Sequence, residues 1–351
     1  DYARTWGTNA ITIDSNGLLF QGETDAFIVD YDTAGQAINL VYSGATVGWT
    51  PASDIVSALE PVAPSTQKAI FGYGAAASKV SLTNLVSSSG VVAADTTGVG
   101  TARGDLAAAG YGSDKAIFGY GRTGSSLSLT NLVNNSGVVA ADVSGVGTAR
   151  YYLAAAGYGG DKAIFGYGTT GSYSSLTNLV SSSGVVATDT TGVGTARGYV
   201  AGVSYGGDKA LFAYGYTGSN VSMSNLISNL GVVSADVTGV GTARGYLAAA
   251  SYDTDKAIFG YGYNGSANLS MSNLVSNNGI VASDVSGVGT ARRQLGAAGY
   301  GGDKAIFAYG KAGAFTSIKN LVNSSGVIAA DVTGVGTARE AIAAAGYSIS
   351  A

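Results

Sequence analysis

KAIFGYG, spanning Lys68 to Gly74, returns as near-copies beginning at Lys115, Lys162, Lys209, Lys256 and Lys304, a period of 47 residues with one step of 48. A period in that range makes the chain from Lys68 onward one array of equivalent units, not a string of unrelated domains. A full unit, taken from Lys162, reads KAIFGYG, TTGSYS, SLTNLV, SSSG, VVATD, TTGVGTAR and GYVAGVSYGG. Its apolar runs are short, rich in Val, Ile, Phe, Tyr and Ala, and bounded by Gly, Ser, Asn or Asp, which is the pattern of four brief strands. No sustained i, i+3, i+4 stripe is present, so the array is all-β.

Four-stranded sheets recurring every forty to fifty residues or so predict a six-bladed β-propeller. The run LAAAGY at Leu106, Leu153 and Leu247, with AIAAAGY at Ala341, marks strand one. Inner strands converge on the propeller axis, where only small side chains fit. KAIFGYG is then strand two, with Ile and Phe on opposite faces; SLTNLV is strand three and VVAAD the outer strand four. The array enters at strand two (Lys68) and ends on strand one (Ala341 to Tyr347). The C-terminal strand is therefore expected to complete the first blade, beside the strands near Lys68, Leu82 and Val91, and to leave no open edge.

Composition removes several kinds of chemistry. The net charge is -4, and 12 of the 18 basic residues are the repeated Lys and the repeated Arg (103, 150, 197, 244, 292 and 339). Spread evenly, they make no basic patch for nucleic acid. Cys and His are absent, so disulfides, a thiolate nucleophile, a His base and Cys/His zinc sites are excluded. No apolar run reaches membrane-spanning length, and no membrane insertion is expected. The chain opens on Asp1 without an initiator Met or a signal-like leader, which reads as an internal start.

Residues 1–60 read as a separate small antiparallel β module. Apolar runs at 10–13, 17–20, 26–31, 37–42 and 45–50 alternate with turn signals such as Asp14-Ser15-Asn16-Gly17 and Ser43-Gly44. So few residues make a marginal core. Trp6 and Trp49 are candidates to anchor an oligomer, or else to close a small monomeric sandwich. Pro51 opens a possible short helix over 52–59. Pro61 and Pro64 stiffen a linker, 61–67, which leads into the array at 68–351.

The pattern NAITI, a glycine near Gly22, VDYDTAG and then LVYxxATxGW resembles the short β modules of tailed-bacteriophage fibre and spike proteins. That resemblance implies a homotrimeric module near the virion attachment end, contacting other virion proteins. TAR-x-x-LAAAGYGGDKAIFGYG in turn is similar to the Kelch motif, with an Arg leading into a small-residue strand, a tight turn and an apolar strand. It departs where the double glycine becomes Gly-Tyr-Gly and where SGVV replaces the late Trp. The unit also looks like repeats of phage virion proteins.

Candidate chemistry is sparse. GYGRTG (Gly119, Gly121, Gly124) and GYGTTG (Gly166, Gly168, Gly171) match a dinucleotide fingerprint, but strands and not helices follow them, so they read as turns. Asp95, Asp142, Asp189, Asp236, Asp284 and Asp331 supply one carboxylate per unit where a calcium loop needs several. They read as turn residues or as partners of the repeated Arg or Lys. No catalytic residue, metal site or cofactor is expected, and a polysaccharide-degrading enzyme would need a close pair of unrepeated acids.

What differs between units is more informative. The strand two-to-three loops vary most, and so do the two residues after the repeated Arg, from Gly104-Asp105 to Glu340-Ala341. In an up-and-down blade both stretches emerge on one face, whereas the other face barely changes. That face would offer Arg122, Tyr151, Tyr152, Tyr173, Tyr199, Tyr216, Tyr246, Tyr263, Arg293 and Phe315. Such side chains suit stacking on sugar rings or anchoring a protein, unless the loops have simply drifted. The expectation is a virion structural component with a host-recognising propeller that binds a surface glycan or protein. The alternative is a propeller lectin outside any virion.

Overall fold

The computed structural model describes residues 8–14, 18–19, 28–31, 39–51 and 67–348, and divides the chain into two compact units, Asp1–Pro64 and Ser65–Ala351. In the first unit β1 (Ile11–Asp14) pairs antiparallel with β2 (Ile28–Tyr31). The strand β3 (Leu40–Tyr42) pairs with β4 (Trp49–Pro51), setting Tyr42 opposite Trp49. Their hairpin turns at Gly44, whose carbonyl accepts the Gly48 N–H at 2.7 Å. The half-buried Trp49 indole meets the Tyr42 ring edge-on, centroids 5.4 Å apart, and the Trp49 backbone N–H donates to Leu19 O at 2.8 Å. Trp6, the expected helix over 52–59 and residues 61–66 lie outside the described residues.

The second unit is all-β: among its described residues every element is a strand. They are β5 (Lys68–Gly72), β6 (Thr83–Val86), β7 (Ala107–Tyr111), β8 (Lys115–Gly119), β9 (Thr130–Val133), β10 (Ala154–Tyr158), β11 (Lys162–Gly166) and β12 (Thr177–Val180). There follow β13 (Ala201–Tyr205), β14 (Lys209–Tyr216), β15 (Asn220–Ile227), β16 (Ala248–Tyr252), β17 (Lys256–Gly260), β18 (Ser272–Val275), β19 (Gly296–Tyr300), β20 (Lys304–Ala308), β21 (Lys319–Val322) and β22 (Ala343–Tyr347). They form antiparallel three-stranded sheets in the orders β7-β8-β9, β10-β11-β12, β13-β14-β15, β16-β17-β18, β19-β20-β21 and β22-β5-β6. The last strand thus joins the first, Ala343 opposite Gly72 and Tyr347 opposite Lys68, in the register that Ala107 and Tyr111 take with Gly119 and Lys115.

Four strands per sheet were expected; three are found. The VVAAD run touches its neighbour only through single bridges, Val86 to Val92 and Thr83 to Thr96 in the first repeat. Between them a side chain takes over: the fully buried Asn84 donates from Nδ2 to Ala93 O at 3.0 Å and to Asp95 Oδ1 at 2.9 Å. A side-chain amide in that position holds the outer run one residue at a time and prevents a continuous ladder.

Packing follows the alternation of side chains. Ile117 of β8 packs with Leu153 and Phe165 of the following repeat, while Phe118 packs with Ile70 and Tyr73 of the preceding one. The same interlock joins Phe71 to Ile306, the last repeat to the first. In β7, Ala107, Ala109 and Tyr111 are buried. Ala108 and Gly110 lie at a cavity of about 250 Å³ lined by the first strands of all six sheets. Bulk is excluded there by a definite contact: a Cβ on Gly346 would stand 3.1 Å from Gly299 O. Where serine replaces glycine, its hydroxyl uses that contact, Ser204 Oγ donating to Gly157 O at 2.8 Å and Ser251 Oγ to Ser204 O at 3.0 Å.

Candidate functional site

The repeated Arg delivers the chain to the varied region. Arg103 is fully buried, its guanidinium 4.3 Å from the centroid of the Tyr73 ring. Its Nε donates to Tyr120 O at 2.8 Å and its Nη2 to Asn131 Oδ1 at 2.8 Å, both in the next repeat. Arg339 makes the same bonds to Tyr73 O and Asn84 Oδ1, at 2.9 and 2.7 Å. The repeated Asp completes each joint. Asp142 accepts from the Thr101 hydroxyl at 2.6 Å and from Asn131, with Arg103 3.9 Å away. Burial pushes its carboxyl up, but the Thr101 and Asn131 hydrogen bonds outweigh burial and leave its pKa below the ordinary value. These aspartates are therefore structural partners. Among the described residues no three His, Cys, Asp or Glu gather as a metal site. Gly121 and Gly168, with φ of 95° and 99°, occupy loops between strands, as the turn reading requires.

Immediately after the Arg, the two varied stretches of each repeat meet. Single bridges link Gly104 to Arg122, Tyr151 to Thr169, Gly198 to Tyr216, Gly245 to Tyr263, Arg293 to Lys311 and Glu340 to Ala75. The next residue in each repeat is Asp105, Tyr152, Tyr199, Tyr246, Gln294 or Ala341, all left-handed with φ between 54° and 60°. Backbone bonds tie them in succession. The N–H groups of Asp105, Tyr152, Tyr199, Gln294 and Ala341 donate to Ala341, Asp105, Tyr152, Tyr246 and Gln294 carbonyls at 2.8 to 3.0 Å. Together with the aliphatic residue that follows each one, they line an open cup of about 80 Å³.

The cup is asymmetric. Tyr152, Tyr199 and Tyr246 pack on one another, with centroids 4.0 Å apart for the first and last neighbouring pairs and 5.7 Å for Tyr152 and Tyr246. Burial pushes the Tyr152 and Tyr246 hydroxyls well above the ordinary tyrosine range, with Asp105 adding to the rise at Tyr152 against Arg122, and Tyr199 adding to it at Tyr246. Opposite them, the Asp105 side chain is 2% exposed and accepts from Arg122 Nε at 2.7 Å, with Lys79 at 3.6 Å. Gln294 Nε2 reaches its other oxygen at 3.4 Å. Arg122 Nη2 also donates to the Tyr152 hydroxyl at 2.5 Å and lies over the Tyr151 ring.

The ten residues expected as exposed binders are therefore arranged differently. Phe315 alone of them is exposed; the others are half-buried. Tyr173 and Tyr216 meet edge-on at 6.0 Å, Arg293 lies 4.7 Å over Tyr263, and Lys311 covers Phe315 at 5.3 Å. Only Tyr152, Tyr199 and Tyr246 line the cup itself. Sequence reasoning placed Asp105, Gln294, Glu340, Lys79 and Lys311 in the varied stretches but did not count them among the candidate binders, although their departure from the repeat was the available signal. Glu340 sits 3.9 Å from Lys311, and its Oε2 is buried without a hydrogen bond. Burial raises its pKa, Lys311 opposes, and Asp105 adds to the rise. Two unrepeated acids thus come into electrostatic range, yet the side chains of Asp105 and Glu340 are only 2% and 17% exposed, and neither is presented as an open acid/base pair.

The larger cavity is not the better candidate. Its lining is mostly the Ala, Gly and Tyr of the first strands with the repeated Lys115 and Lys162, varied by few substitutions such as Val203, Ser204 and Ser251, whereas the smaller cup gathers the positions at which the repeats differ most. No protein-family model and no curated protein matches the chain.

Proposed function

We propose that the six sheets are blades of a six-bladed β-propeller closed by its C-terminal strand, and that its varied face binds a host-surface glycan or protein. Closure is supported by the pairing of β22 with β5 and by Arg339, which repeats on the first unit the bonds that every other Arg makes on the next. The chain is read as a structural component of a tailed-phage virion, with its N-terminal unit attaching to other virion proteins and trimerising. That part rests on the resemblances of the two regions to phage proteins. No enzymatic step is assigned.

One observation carries the recognition reading. Across six near-identical repeats, difference is concentrated where the loops and the post-Arg residues meet around the cup, on a scaffold that otherwise repeats. Aromatic rings and cations at such a place are the side chains that dominate recognition sites. Binding of the intact protein to host cells, and its loss in Tyr173→Ala and Arg293→Ala, tests the reading; undiminished binding in both would overturn it. Micrographs of the parent particle labelled against this chain separate a virion component from a free lectin. A monomeric mass for the intact protein in solution would remove the trimer.

A further inference from the structure

Resting on that recognition reading, we infer that the cup holds one neutral, methyl-bearing sugar ring (a deoxy or N-acetylated pyranose at the tip of a glycan) and that each chain has one such site, not six. The count follows from the lining. All six repeats contribute one residue each to the rim, and the contributions are Asp105, Tyr152, Tyr199, Tyr246, Gln294 and Ala341. No two neighbouring repeats outside the tyrosine run offer the same pair, so a site built between repeats could not recur six times.

Size and chemistry then narrow the occupant. A buried water needs roughly 10–15 Å³ of such space, so a cup of about 80 Å³ has room for one pyranose ring and not for two. Its floor is aliphatic, made by Leu106, Leu153, Val200, Leu247, Leu295 and Ile342, which keep 4% to 7% exposure. A hydroxyl pressed onto that floor would lose water and gain no partner, whereas a methyl group loses nothing. The tyrosine wall offers an aromatic surface to the apolar face of a ring. Across from it, the Gln294 amide supplies a polar group for ring hydroxyls. The one charged residue in the lining, Asp105, is 2% exposed and already paired with Arg122, and neither Arg122 nor Lys79 lines the cup, so the lining presents no open charge and favours a neutral guest. Ala341 is the gap in the rim through which the ring enters.

The gap supplies the test. Ala341→Tyr installs the side chain that three other repeats carry at the same backbone angle, φ 56° against 54°, 59° and 57°, so the variant is expected to fold, as its melting curve will show. Methyl fucoside, methyl rhamnoside and N-acetylglucosamine are titrated calorimetrically into the intact protein, with glucose and galactose as unsubstituted controls and sialic acid as the anionic one. The expected result is binding of a methyl-bearing neutral sugar at one site per chain, weakened at least about tenfold by Ala341→Tyr. Equal binding of the unsubstituted or anionic controls, a stoichiometry above one, unchanged binding by the variant or no sugar binding at all would overturn it. Host-cell binding distinguishes the two levels. If cells are still bound by Ala341→Tyr but lost with Tyr173→Ala, the face recognises something outside the cup, such as a protein, and only the cup proposal falls.

Discussion

Two sets of six residues in this chain share one unusual backbone conformation and differ in everything else. The first set is Tyr73, Tyr120, Tyr167, Tyr214, Tyr261 and Tyr309, at φ 61° to 65°; the second is Asp105, Tyr152, Tyr199, Tyr246, Gln294 and Ala341, at φ 54° to 60°. Left-handed geometry costs a residue with a Cβ on the order of 1 kcal/mol, so both sets must be held by their surroundings. In the first, every tyrosine is buried under the guanidinium of a repeated Arg and its hydroxyl donates to a carbonyl of the loop before that Arg, as Tyr73 does to Val99 O at 3.1 Å. Burial pushes the Tyr73, Tyr120 and Tyr309 hydroxyls up to about 12, against the pull of the arginine. In the second set the backbone does the holding, the N–H groups of Asp105, Tyr152, Tyr199, Gln294 and Ala341 donating to carbonyls of the repeat before. A side chain that is part of the joint cannot change; one that merely projects from it can. The second set is therefore where sequence was at liberty to differ.

The most severe way to break this comparison is to remove the chain from Ala341 onward. That strips β22 from β5, exposes Ala69 and Ile70, and deletes the buried Tyr347. An unpaired inner edge should cost cooperative unfolding and bring aggregation, read by thermal melting and size-exclusion chromatography. A truncated protein that melts with the intact one would show that the last strand holds nothing.

Arg244→Met comes next. It leaves Tyr261 O and Asn273 Oδ1 without the donors now at 2.8 and 2.7 Å and should cost about 3–5 kcal/mol in urea unfolding. The direct comparison pairs two tyrosines of like conformation. Tyr261→Ala empties a site that is fully buried and should cost about 3–5 kcal/mol, whereas Tyr246→Ala, half-buried at the cup, should cost about 1 kcal/mol. Equal losses would erase the distinction between joint and projection.

The smallest effect is that of pH. The six repeated aspartates have folded pKa values below their ordinary one, because hydrogen bonds from Thr and Asn outweigh burial. Their stabilisation is present above the unfolded value, about 3.9, and is lost as pH falls through the lower folded values. Glu340 runs the other way: its raised pKa means stability present at low pH and lost as pH rises through the folded value. Urea midpoints between neutral and acid pH should therefore fall less steeply for Asp284→Asn than for the parent. An unchanged acid limb would mean that Asp284 is not coupled to folding.

Much of this was legible from sequence. The forced smallness of the Ala-Ala-Ala-Gly run, the opposed Ile and Phe, the entry on one strand and exit on its neighbour, and the convergence of varied stretches could all be read from spacing. The outer strand was misread because VVAAD has a strand's composition, and nothing local reveals that Asn84 would substitute for its ladder. Gly-Tyr-Gly looked like a variant of a glycine turn; that its tyrosine would lie beneath an arginine depends on Arg103, 30 residues downstream. The rim of the cup was harder still. Asp105 and Gln294, 189 positions apart, share a hydrogen bond.

By itself the sequence settled what each repeat must be, because strand periodicity and glycine spacing act over a handful of neighbouring residues. It could not settle which of the differing side chains would face one another. Only the packing of all six repeats brought Asp105, Gln294 and Ala341 opposite three tyrosines, since contact across the molecule depends on where whole sheets come to rest and not on what adjoins a residue along the chain.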